Sequence, residues 1–271
     1  MSKIAIGGGP NSGKTTAAMG SPSLGVTGLN PNSTLYIMAG MKTESPENIG
    51  KYRTLIFEDS TAGTVKPGPF EYNIVALTSA KISNIQPLLE LIENAVQNGL
   101  KLYGGPVTQL TDIVIDDYQA FLNDTYYGTD LDAFKALKQV GNQAVKFDNY
   151  LAKLDLRQQS FEGYPLKRRI DIWLMFHMKP LDSTKKPGKG NQYTLHFAGK
   201  TMKDKYEIDG KYDTFLLAEK FKFYTKATDA FPFVRIATGL TEGQTVSPQI
   251  NADLAIIKGW LDNLYNKKFK K

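Results

Sequence analysis

The chain has 271 residues, 41% hydrophobic and 11% aromatic, enough to fill a substantial core, and a single domain over residues 1–271 is the expectation. Cysteine is absent, which excludes disulfides, thiolate metal centres and cysteine nucleophiles, and with His177 and His196 the only histidines a multi-histidine site is not expected, so any metal is expected on oxygen ligands. The net charge of +6 is concentrated in KRR (167–169), KKPGK (185–189) and NKKFKK (266–271), a distribution suited to polyanions, although solubility alone would also account for it.

No stretch approaches the roughly eighteen uninterrupted apolar residues of a membrane span, and no basic segment leads into an apolar one at the start. The expectation is a cytoplasmic protein without membrane partners. In chain order, KIAI (3–6) reads as a buried strand entering a glycine-rich loop, and TTAAM after it as a helix start. LYIMAGM (35–41) has the length of a second strand, and the polar stretch from about 42 to 70 reads as an insertion containing a short strand in RTLIFEDS. YNIVALTS (72–79) reads as a strand; Ile85, Leu88, Leu89, Ile92 and Val96 then recur at helical spacing until Asn98-Gly99 stops them.

TDIVIDDYQAF (111–121) contains a fully buried strand with two carboxylates, Asp116 and Asp117, at its exit. Helical spacing returns across DLDAFKALKQVGNQAVKFDNYLAKLDLRQQ, and the nearly continuous apolar run Ile170–Phe176 reads as a strand that His177 ends. Residues 179–205, rich in Lys, Pro, Gly and Ser, read as a mobile loop or hairpin. FPFVRIATG (231–239) reads as a late strand, and residues 250–271 as an amphipathic helix with Leu254, Ile257, Leu261 and Leu264 inward and a basic end. Strands alternating with helices predict a three-layer α/β sandwich with a mainly parallel central sheet.

Gly8, Gly13, Lys14 and Thr15 complete G-x-x-x-x-G-K-[ST], a pattern met by accident in about 1 in 100 chains of this length. Its physical logic is a backbone that turns its amides onto one anion, which demands residues tolerant of left-handed φ. Gly8, Gly9, Pro10, Asn11, Ser12, Gly13, Lys14, Thr15 and Thr16 would therefore cradle phosphates, with Lys14 on the β- and γ-phosphates and the Thr15 hydroxyl on Mg2+. Asp116 fits the carboxylate that holds the metal, directly or through water. Three acidic positions compete to orient the attacking water: Glu44 after the second strand is preferred, Asp117 next, and then the pair Glu58 and Asp59. His177, expected at the carboxyl edge of the sheet, is a candidate to contact the γ-phosphate.

GGGPNSGKTT, the IVIDD strand, the helix AFKALKQVGNQAVKFDNYLAKL, the strand IWLMFHMKP, and FVRIATG followed by NADLAIIKGWL together resemble the phage-type nucleotide-binding ATPases of the RecA-like AAA group. That resemblance implies a RecA-like fold, ATP as the nucleotide, Asp116 as the Walker B acid, Glu44 as the glutamate after the second strand and His177 as a polar sensor. It also implies the host cell cytoplasm as compartment, a homo-oligomer with Arg235 or Lys179 reaching a neighbouring site, and single-stranded DNA at residues 179–200. In that loop Lys185, Lys186 and Lys189 would supply charge and Tyr193 or Phe197 a stacking face. The expected role is annealing, recombination or replication. The other readings are a loader or motor subunit acting on a protein partner, an assembly switch with little turnover, and a small-molecule kinase, disfavoured by the absence of arginine from residues 179–200.

Overall fold

The computed structural model describes residues 3–39, 53–54, 75–77, 100–101, 107–108, 110–116, 118, 170–180, 193–195, 212–228 and 233–269. The chain divides into two compact units: residues 30–172 with 197–205, and residues 2–29 with 173–196 and 206–271. The strands are mixed and mostly parallel and are accompanied by helices, the α/β class that the alternating apolar pattern predicts.

In the first unit, β2 (Thr34–Ala39) is central: it pairs in parallel with β3 (Arg53–Thr54), with β4 (Val75–Leu77) and with β7 (Asp112–Asp116). Leu35, Tyr36 and Ile37 lie opposite Ile113, Val114 and Ile115, and all six are buried, as parallel strands covered on both faces require. The entries to β2 and β7 are tied together, because the amides of Thr111 and Asp112 both donate to Ser33 O, at 2.8 and 3.2 Å. A separate antiparallel pair joins β5 (Leu100–Lys101) to β6 (Val107–Thr108).

The second unit is built on β1 (Lys3–Gly8), which pairs in parallel with β10 (Thr214–Glu219); Ala5 lies opposite Phe215 and Gly7 opposite Leu217. β11 (Lys222–Tyr224) and β12 (Gln249–Asn251) continue the sheet antiparallel beyond β10, and β8 (Asp171–Pro180) neighbours β1 on its other side. Strand β8 begins in the first unit at Asp171 and Ile172 and runs through the second from Trp173. Its apolar residues from Trp173 to Phe176 are wholly buried, and the Phe176 ring stacks on Phe215 with centroids 6.1 Å apart. Phe233 meets Phe215 edge-on at 5.2 Å, so the three rings form one aromatic cluster.

Among the described residues this unit holds two α-helices, α1 (Lys14–Met19) and α2 (Leu254–Phe269), which pack on one another. Asp253 caps α2: its carboxylate accepts from Ala255 N at 2.9 Å and also from Thr27 N and Gly28 N, at 2.8 and 2.9 Å, which ties the segment after α1 to the start of α2. Leu254, Ile257 and Leu261 are buried as the periodicity predicts, whereas Leu264 is only half-buried. Among the described residues no helix is long and apolar enough to cross a membrane.

Three sequence expectations need correction. His177 does not end its strand: β8 continues to Pro180, where β9 (Tyr193–Leu195) pairs antiparallel with Met178–Pro180, in line with the hairpin alternative for this segment. Residues 233–239 do not form a strand; Arg235 makes a single bridge with Phe215, and Phe233 and Val234 are buried by packing instead of by a ladder. Residues 250 and 251, assigned to the C-terminal helix, belong instead to β12 (Gln249–Asn251). The helices expected from Ile85 to Val96 and across 130–159, and nearly all of the 42–70 insertion, lie outside the described residues.

Candidate functional site

Strand β1 runs two residues into the glycines, and the chain then turns through residues 9–13 before α1 begins at Lys14. Two positions in that turn are left-handed, Asn11 at φ 56° and Gly13 at φ 99°, with Ser12 between them. Asparagine tolerates this region and glycine is indifferent to it, which is why these residue types stand here. Alternation of this kind faces successive amides toward one side, the geometry of an anion nest. The first helical bond, Ala17 N to Gly13 O at 2.8 Å, fixes where the loop ends.

Lys14 is 6% exposed, and its ammonium donates to Gly8 O at 2.7 Å, Gly9 O at 2.8 Å and Ser12 Oγ at 3.2 Å. These three partners are neutral oxygens of the loop itself. Charged donors to carbonyls form strong bonds, so the lysine stiffens the turn and holds its charge beneath it.

The β10–β11 turn braces the loop from one side. Lys220 and Phe221, at φ 49° and 58°, form the centre of this turn, and their left-handed backbone costs about 1–2 kcal/mol per residue. Phe221 N donates to Ser12 O at 3.1 Å, and Phe221 O accepts from Ala252 N at 3.0 Å. Because carbonyl and amide point oppositely across a trans peptide, the Ser12 carbonyl facing the turn directs the Gly13 amide away from it. The approach is tight: a Cβ on Gly13 would lie 2.8 Å from Phe221 Cδ1, and one on Gly8 would lie 2.6 Å from Ala218 O and 2.5 Å from Ser12 Oγ. Glycine at both positions is therefore a packing requirement.

In the first unit Asp116 ends β7, is fully buried, and accepts a 2.6 Å hydrogen bond from Tyr36 Oη on β2. Tyr36 is two residues before Met38, the register partner of Asp116, so the interaction is a diagonal across neighbouring strands. Mg2+ takes oxygen ligands, and a buried carboxylate with one oxygen fixed by a hydroxyl fits that donor class, as does the Thr15 hydroxyl at the head of α1. His177 is half-buried in the interior of β8. Arg235 commits Nε and Nη2 to Tyr212 O at 2.9 and 2.7 Å, within its own unit. Glu44, Glu58, Asp59, Asp117, Lys185, Lys186, Lys189 and Phe197 lie outside the described residues.

No protein-family model matches the chain, and no curated protein matches it. The loop combines a glycine-permitted left-handed turn, amides turned from the bracing hairpin and a buried ammonium: features that suit an oligophosphate. Two residues near these groups escaped sequence reasoning, Tyr36 and Phe221, since each is far along the chain from the residue it touches.

Proposed function

We propose that residues 7–16 bind the triphosphate of ATP with Mg2+ and that the chain is a RecA-like P-loop ATPase, built as a three-layer sandwich. The observation that carries this reading is the Lys14 ammonium, buried under a glycine turn whose sequence is G-x-x-x-x-G-K-T. On binding, Lys14 exchanges the carbonyls of Gly8 and Gly9 for β- and γ-phosphate oxygens, and the amides from Asn11 to Thr16 hold the β-phosphate. The Thr15 hydroxyl is assigned to Mg2+ at the loop, and Asp116, whose carboxylate Tyr36 keeps in one orientation, is assigned the Walker B role. Bound there, Mg2+ neutralises charge on the transferred phosphoryl group. Glu44 orients the attacking water, with Asp117 as the other candidate, and His177 is assigned to the γ-phosphate.

The same proposal takes single-stranded DNA as the partner of the basic 179–205 segment, a homo-oligomer as the working form, and recombination, annealing or replication in a phage-infected cell as the setting. The charge of KKPGK and the resemblance described above support it. The test is ATP hydrolysis by wild type and Lys14→Ala, with and without single-stranded DNA, at two salt concentrations. The proposal requires turnover that Lys14→Ala abolishes and that DNA stimulates less at high salt. Turnover indifferent to DNA would favour a loader or motor acting on a protein, and unchanged turnover in Lys14→Ala would end the ATPase reading.

A further inference from the structure

Among the described residues the large apolar side chains left exposed are Leu24 and Phe221, and Phe221 is the one that touches the phosphate loop. Phe221 as a whole residue is 42% exposed, yet its backbone is fixed on both sides: the amide donates to Ser12 O, and the carbonyl accepts from Ala252 N. The turn that carries it is costly for its residue types. A two-residue connection between antiparallel strands with both residues left-handed favours Asn-Gly, whereas this chain uses Lys-Phe. Strain and apolar exposure coincide at one residue, fastened to the loop that the preceding reading assigns to phosphates.

We propose that Phe221 is the stacking platform for the nucleobase, so that the site selects a nucleoside triphosphate over a bare oligophosphate. The inference rests on the reading of residues 7–16 as a phosphate loop. A nucleotide seated there is anchored at its phosphates, and its ribose and base must extend from the loop over adjacent surface. An exposed aromatic ring held at van der Waals range of Gly13 offers that surface a π-face that any base can cover, and covering it removes apolar area from water. The two backbone bonds of Phe221 fix the turn that carries the ring, which limits the backbone entropy lost on binding.

The test compares binding of Mg-ATP and of inorganic tripolyphosphate to wild type, Phe221→Ala, Phe221→Trp and Lys14→Ala. Loss of a stacking partner should weaken ATP about tenfold to a hundredfold in Phe221→Ala and leave tripolyphosphate unchanged. Phe221→Trp should retain ATP affinity, and ATP should quench the added indole fluorescence while tripolyphosphate does not. Equal weakening of both ligands in Phe221→Ala would show that the ring only braces the loop, and no weakening of either would show that it touches no ligand; both outcomes overturn the inference and leave the phosphate loop intact. Lys14→Ala should lose both ligands. A wild type that binds neither ligand overturns the phosphate-loop reading and this inference with it.

Discussion

Replacing Gly13 with alanine tests the conformation on which the loop depends. At φ 99° and ψ 7° an L-residue incurs about 1–2 kcal/mol from its Cβ alone. The added methyl would also lie 2.8 Å from Phe221 Cδ1, 3.3 Å from its Cγ and 3.2 Å from its Cα, an overpacking worth about 1–3 kcal/mol. The total is about 2–5 kcal/mol, enough to displace the turn or unfold its surroundings. Both tryptophans, the buried Trp173 and the half-buried Trp260, belong to the second unit with Gly13, so their fluorescence during urea denaturation reports the right part of the chain. In a Phe221→Ala background the same substitution should cost less, because the clash with the ring is gone while the left-handed penalty and the close approach to the backbone of residue 221 remain; a coupling of about 0.5–2 kcal/mol is expected. A Gly13→Ala variant as stable as wild type would refute the left-handed, ring-packed turn, and an unchanged cost in the double variant would refute the packing half of it.

Asp253→Ala removes the acceptor for the amides of Thr27, Gly28 and Ala255 and should destabilise the second unit by about 2–4 kcal/mol, with Asp253→Asn recovering part; urea denaturation followed by tryptophan fluorescence decides it, and a change below about 0.5 kcal/mol would contradict the capping role. Tyr36→Phe deletes the donor to Asp116 and should cost about 1–3 kcal/mol while raising the Mg2+ concentration needed for half-maximal ATP binding; an unaltered Mg2+ titration would show that Asp116 does not hold the metal. Affinity for oligo-dT should fall steeply from about 50 to 200 mM salt, and replacing Lys185, Lys186 and Lys189 together should reduce the slope of log K against log salt by about 2; fluorescence anisotropy measures both, and an unchanged slope would remove DNA from that segment.

The strands legible in the sequence were those whose cause is local. β1, β2, β7 and the first part of β8 are runs of buried aliphatic and aromatic residues, and such runs read the same in one dimension as in three. Residues 231–239 misled because Phe233 and Val234 are apolar for packing, with Arg235 making one bridge where a ladder was expected. The β10–β11 hairpin was hidden because Lys-Phe occupies a turn whose usual signature is Asn-Gly. For the site, the glycine loop proposed to bind phosphates is contiguous and stands out in eight residues, 8–15. The bond from Tyr36 to Asp116 spans 80 positions, and the seat of Phe221 on Gly13 depends on strand pairing; neither leaves a trace in local spacing.

The most direct test of the account is a binding titration of ATP, with Mg2+ present, against wild type and Lys14→Ala. The buried ammonium beneath a left-handed glycine turn predicts saturable binding by wild type, with stabilisation against unfolding of about 2.7 kcal/mol at a hundredfold excess over Kd, and neither effect in a Lys14→Ala protein that remains folded. Absence of any binding by wild type at about 1 mM nucleotide, which corresponds to a binding free energy weaker than about −4 kcal/mol, would contradict it.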